Sequence, residues 1–302
     1  MTEIQQTNVE EEYPDLINLT GILDALRLNR GFIAGFSLFC AFLTAGYAYS
    51  LDNVYTAQSD IVFSSTFSAS QGEGLDLLAS FAGQRGAANK GDKNRYALER
   101  LMSRSFFSIL YEDDNFLKNL MAFDQHDPVT KTNTYDPEIY NSETDQWVEK
   151  PSLILSHQIF VSNHLIVEQD RETQVISISI LHESPYIARD WVTVAVNTIN
   201  ESIREMDLSK AKASYDYLLK QVQASPLVEI NKAFALMIER ELNTMMLADL
   251  TEEYIFETLD PAVVPELKSY PSRTTMTLSG LIISGLLSCI LAIILFFNNK
   301  SI

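Results

Sequence analysis

Two stretches of the chain carry no charged side chain, Gly31 to Tyr49 and Met276 to Phe297. About 20 apolar residues cover the roughly 30 Å hydrocarbon core of a bilayer. Neither Phe32-Ile33-Ala34-Gly35-Phe36 nor Leu281-Ile282-Ile283-Ser284-Gly285-Leu286-Leu287 leaves room for the polar stripe of a soluble core helix. Both are therefore expected to span a membrane as helices, over 31–49 and 276–297, holding residues 50–275 between them as one domain. A cleaved signal peptide is disfavoured because the lead, residues 1–30, is long and acidic (Glu10, Glu11, Glu12, Asp15) rather than short and basic.

Between the spans the periodicity changes repeatedly. Tyr55 to Phe63 alternates weakly and predicts a strand leaving the first span. A Ser/Gly-rich loop (64–74), a short apolar patch (Leu75, Leu77, Leu78, Phe81) and a second polar loop (83–93) follow. Tyr96, Leu98, Leu101, Met102, Phe106, Ile109 and Leu110 fit one helix over 94–110, and Leu117, Leu120 and Met121 a short second one. Asp124 to Lys150 is polar with two Asp-Pro steps and reads as an ordered surface loop. Ile176, Ile178 and Ile180 against Ser177 and Ser179 predict a half-buried strand, with Leu165 to Glu168 as its neighbour. Ser184-Pro185 opens a helix to about Gln223 through Val192, Val196, Ile199, Ile203 and Met206. Ser225-Pro226 starts another, striped with Leu227, Ile230, Phe234, Met237, Ile238, Leu242 and Met245. Tyr254 to Leu259 is a last strand before Pro261, Pro265, Pro271 and the second span. The expected fold is α+β: a mixed sheet near the membrane plus long helices, between two transmembrane helices.

Charge places this domain. Arg27 and Arg30 precede the first span and no Lys or Arg follows it until Arg85, so both termini, 1–30 and 298–302, are expected on the cytoplasmic side. A net charge of −18 disfavours nucleic acid as a partner. The two cysteines, Cys40 and Cys289, both fall in the spans, leaving the outer domain without a disulfide, which fits a bacterial periplasm better than an animal secretory compartment.

Candidate chemistry is sparse. The chain has no phosphate-cradling G-x-x-x-x-G-K-[ST] or G-x-G-x-x-G, no G-x-S-x-G elbow and no H-E-x-x-H. His126, His157, His164 and His182 are spaced as hydrogen-bonded or solvated histidines rather than zinc ligands, so neither a metal nor a cofactor is expected. The candidate residues are of another kind. Gly31, Gly35, Gly280 and Ser284 are small residues at helical spacing that would let the spans approach closely. Leu227, Ile230, Phe234, Met237 and Met245 form a face that serves either as core or as a subunit seam.

The layout resembles the polysaccharide co-polymerase, or Wzz-type chain-length determinant, family. The resemblance is carried most specifically by Ser225 to Ile230, Glu239 to Leu242 and Tyr254 to Pro265, and by Pro261, Pro265 and Pro271 followed by Ser272-Arg273. The chain departs from the family pattern in lacking a proline within the second span and in the wide gap from Pro265 to Pro271. Residues 124–148 resemble the family's variable outer region, and the stop at Ile302 resembles the class without a cytoplasmic kinase. The resemblance implies a ring-like homo-oligomer in the bacterial inner membrane. Its partners would be membrane lipid, a polysaccharide polymerase and that enzyme's lipid-linked glycan, whose length it sets without a catalytic residue. A periplasmic sensor signalling through a partner protein is the alternative for this layout, and a membrane-anchored hydrolase would need converging carboxylates.

Overall fold

The alternating segments of the sequence meet in one four-stranded sheet, against which the long helix opened by Pro185 packs. The structure describes residues 19–64, 90–127, 129–224 and 228–300. The apolar patch at Leu75 to Phe81 with most of its flanking loops, and the Ser225-Pro226 helix start, lie outside the described residues. In the computed structural model the chain divides into two compact units, one of residues 53–270 and one containing the terminal helices.

The terminal unit holds α1 (Leu19–Leu28), α2 (Arg30–Ser50) and the last helix of the chain, Arg273–Lys300. Arg30–Ser50 and Arg273–Leu295 are long and apolar enough to cross a membrane. Asn29 N donates to Ala25 O at 3.2 Å and Ile33 N to Asn29 O at 2.9 Å. The hydrogen-bond ladder therefore continues across Asn29, and α1 extends α2 towards the N-terminus.

In the other unit β1 (Tyr55–Phe63) is followed by α3 (Lys90–Leu101), α4 (Arg104–Tyr111) and α5 (Asp114–Met121). The single helix expected over 94–110 is thus two. Ser103 ends one and caps the next, its side chain accepting Phe106 N at 3.2 Å. The polar stretch 124–150 forms two small hairpins, β2 (Phe123–Asp127) with β3 (Thr132–Tyr135) and β4 (Tyr140–Asn141) with β5 (Gln146–Trp147). Their turns are local Asx chemistry: Asp127 accepts Val129 N at 2.8 Å and Asn141 accepts Glu143 N at 2.9 Å.

Helix α6 (Leu153–Ile159) runs into a π-helical turn, Phe160–His164, and then β6 (Leu165–Gln169) and β7 (Ile176–His182). Two long helices follow, α7 (Pro185–Ala224) and α8 (Val228–Leu250), then β8 (Phe256–Asp260) and α9 (Arg273–Lys300). The sheet order is β6-β7-β1-β8. Every neighbouring pair is antiparallel, which corrects the expected mixed sheet. The turn from Asp170 to Val175 makes β6 and β7 a hairpin, and the last strand returns beside the first in the opposite sense, so no parallel crossover is needed.

Ala57 and Ile61 on β1 and Ile176, Ile178 and Ile180 on β7 are fully buried. They meet the first half of α7, where Ile187, Trp191, Val192, Val196, Ile199 and Ile203 recur every three or four residues. Phe106, Phe107, Phe116 and Phe160 from α4, α5 and the π-helical turn close the core's other side. At about 1.5 Å per residue α7 is a rod of about 60 Å; past Leu208 it runs beyond the core, with Ala211 and Leu218 buried, and it packs along α8.

Candidate functional site

Three places hold the residues that the sequence singles out. The first is the seam between α2 and α9. Ser37 Oγ lies 3.2 Å from Ser288 Oγ, and Ser284 Oγ donates to Ser37 O at 3.4 Å. Gly280 sits against Thr44, where an added Cβ would come within 2.5 Å of Thr44 Oγ1. Gly280, Ser284 and Ser288 therefore share one face of α9, met by Ser37 and Thr44 of α2. A Cβ at Gly31 or Gly35 would meet nothing within 4 Å, so these glycines lie off the seam. The signal that locates the face on α2 is the seven-residue step from Ser37 to Thr44 rather than the G-x-x-x-G pair. At the end of the seam Arg273 Nε donates to Ala48 O at 3.2 Å, with its guanidinium 4.8 Å from the centre of the Tyr49 ring.

The second place is the proline segment. Residues 261–269 have no regular structure, and Tyr270 forms an isolated bridge with Val54. Val54 N donates to Tyr270 O and Ser269 N to Val54 O, both at 2.9 Å. Lys268 Nζ reaches Asn53 Oδ1 at 3.0 Å. Pro265 is half-buried and Pro261 exposed in this segment, whose end is tied to the approach to β1; Pro271 follows the bridge. Proline suits a chain that runs alongside a strand without forming a full ladder.

The third is α8. Leu227 lies outside the described residues. Phe234, Met237 and Met245 are half-buried and Ile230 is exposed, as are Val228, Leu236, Leu242, Met246 and Leu250. Part of the stripe therefore packs on α7, and an apolar margin stays open to solvent.

Two residues that the sequence reading passed over organise the unit of residues 53–270. Asn200 on α7 is buried and accepts Ile255 N at 3.0 Å and Phe256 N at 2.9 Å, while its Nδ2 donates to Phe256 O at 3.0 Å. β8 starts at Phe256 rather than the expected Tyr254, and the Ile255 amide just before it is held by the Asn200 side chain. His182 is 3% exposed at the end of β7. Burial, the largest cause, pushes its pKa down to about 3. An Asn or His on an apolar face gives little warning of either role, since the partners lie far away in sequence. Among the described residues no group of three or more His, Cys, Asp and Glu could hold a metal ion.

No protein-family profile matches the chain, and no curated protein matches it. Its structural neighbours are polysaccharide co-polymerases. A full-length bacterial polysaccharide co-polymerase is 13% identical with a TM-score of 0.37, covering 92% of this chain and 96% of that one. A fragment of WzzB, a polysaccharide co-polymerase from Salmonella Typhimurium, is 14% identical with a TM-score of 0.36, covering 72% of this chain and all of that one. A point variant of the Shigella flexneri lipopolysaccharide O-antigen chain-length regulator WzzB is 11% identical with a TM-score of 0.25. At scores this low the function is argued from the chain's own residues and layout.

Proposed function

We propose that this chain is a non-enzymatic regulator of polysaccharide chain length, for lipopolysaccharide O-antigen or a related exported glycan, acting as a homo-oligomer with an inner-membrane polymerase. Its organisation is a cytoplasmic tail (1–30), a first span (31–49), a periplasmic domain (50–275), a second span (276–297) and a short cytoplasmic tail (298–302). The reading is carried by one feature. The outer unit begins and ends on adjacent strands, β1 and β8, with the Val54–Tyr270 bridge tying the two crossing points together. Such a unit is a single body on a hairpin anchor, suited to being held in many copies around a membrane enzyme. The sequence resemblance from Ser225 to Pro271 supports the same reading, and the basic residues Arg27 and Arg30 support the orientation. In this proposal Pro261, Pro265 and Pro271 fix the connection to the second span, Gly280 and Ser284 pack the spans, and the α8 margin meets the next subunit.

The test is the surface lipopolysaccharide profile of cells lacking the gene. Loss of a modal cluster of bands, replaced by a decaying spread of lengths and restored on complementation, is the expected result. An unchanged ladder, with no change in any other exported glycan, overturns the proposal.

A further inference from the structure

His182 stands where five parts of the outer unit converge. Its Nε2–H donates to Asn119 O of α5 at 3.2 Å, and its Nδ1 accepts Ser184 N, just before α7, at 2.9 Å. Its ring lies against Phe123 of β2 at 4.6 Å, Trp191 of α7 at 5.0 Å and His164 of the π-helical turn at 5.8 Å, centre to centre. On the neighbouring strand β1 it pairs with Tyr55. His164, half-buried, donates from Nδ1 to Leu181 O at 2.7 Å and meets the same Trp191 ring at 5.6 Å. These two rings therefore tie α5 and the π-helical turn to the end of β7.

Both rings are placed to be neutral. The titratable groups that bear on His182 are His164 and His126, and each opposes its protonation when it is itself protonated. The α5 group at the ring is the Asn119 carbonyl, α7 presents the Trp191 ring, and Tyr55 across the sheet is a phenol; no described hydrogen bond or ion pair joins either histidine to a carboxylate. A proton on His182 Nδ1 would set an N–H against the Ser184 N–H that it now accepts. Ser184 Oγ is fully buried with no hydrogen-bond partner, so the residue displaced by that proton also holds the hydroxyl able to accept it after rearrangement.

We propose that His164 and His182 form an acid-responsive latch, whose protonation frees α5 and the π-helical turn from β7 and loosens this end of the outer domain. Burial holds both imidazoles below their ordinary value of 6.5, His182 down to about 3. The opened state then binds more protons than the closed one below about pH 6.5, and closure weakens as pH falls from there toward 3. From pH 7 to pH 5 the opening equilibrium rises roughly 25-fold for His182 if it regains its ordinary value on opening, and His164 adds to that in the same direction. A periplasmic domain would meet such a change whenever the medium acidifies.

The measurement is hydrogen–deuterium exchange of the full chain in detergent at pH 7 and pH 5, corrected for intrinsic exchange, followed in 114–121 and 160–164. The expected result is a loss of protection at pH 5 of at least tenfold, reduced in His164→Gln and in His182→Asn and intact in His157→Gln, whose half-buried ring meets Met102 O and the Phe107 ring instead. Protection independent of pH in the wild type overturns the latch, and so does a step of full size in His164→Gln. If His182→Asn does not fold, the wild-type and His164→Gln series decide alone.

Discussion

At the scale of single residues, the buried polar groups decide more than their number suggests. Asn200 satisfies two amides and one carbonyl at the point where the chain joins β8, inside the cluster that contains Ile199, Ile203 and Phe256. A buried group left without its partner costs about 1–3 kcal/mol, so Asn200→Leu, which strands three, is expected to destabilise the outer unit by at least about 3 kcal/mol. For a unit of this size that is a fall of about 10 °C in Tm, measurable by thermal unfolding of the detergent-solubilised full chain; a fall under a few degrees would show that the three groups find other partners. Tyr140 illustrates a gentler case. Its hydrogen bond to Asp145 is the main cause of a hydroxyl pKa raised to about 12, and it closes the β4–β5 hairpin together with the Trp147 ring 5.1 Å away.

At the scale of elements, the paired helices α2 and α9 show how packing and hydrogen bonding divide the work. An interhelical hydrogen bond inside a bilayer is worth about 0.6 kcal/mol, so Ser37→Ala should be nearly silent. A large side chain at Gly280 has no room against Thr44 and must push the helices apart. With Cys40 and Cys289 replaced by Ala, the pair Ser37→Cys and Ser288→Cys is expected to cross-link within one chain on mild oxidation, since the two hydroxyls stand 3.2 Å apart. Adding Gly280→Leu should abolish that product. Persistence of the cross-link would mean that the seam adjusts around the new side chain.

At the scale of the whole molecule, the open margin of α8 is the surface that an assembly would use. Isolated exposed leucines need no explanation, but Leu242, Met246 and Leu250, at successive four-residue steps on one helix, are all exposed and form an apolar margin. On the proposed function, Leu242→Glu is expected to fold as the wild type does, because that side chain is exposed, yet to reduce cross-linked oligomers in membranes and to shorten or blur the modal glycan length. Unchanged oligomers would place the subunit contact elsewhere on the unit.

The linear pattern by itself determined the two long apolar helices at the ends of the chain, because about 20 uncharged residues match the length of a membrane-crossing helix, and the β7 strand and the α7 helix, because strict alternation at Ile176 to Ile180 and a long three-four period each admit one element. The antiparallel sense of the sheet, the break at Ser103 and the delayed start of β8 came only with the tertiary structure. Each depends on a partner remote in the chain or on a local cap competing with a continuing helix: β1 pairs with β7 across more than a third of the sequence and with β8 across almost two thirds, and Asn200 captures an amide that a strand would otherwise use. The seam face was divided between the two. Small residues on α9 are legible as a four-residue step, whereas which face of α2 meets them, Ser37 and Thr44 rather than Gly31 and Gly35, is fixed only when the two helices are laid against each other.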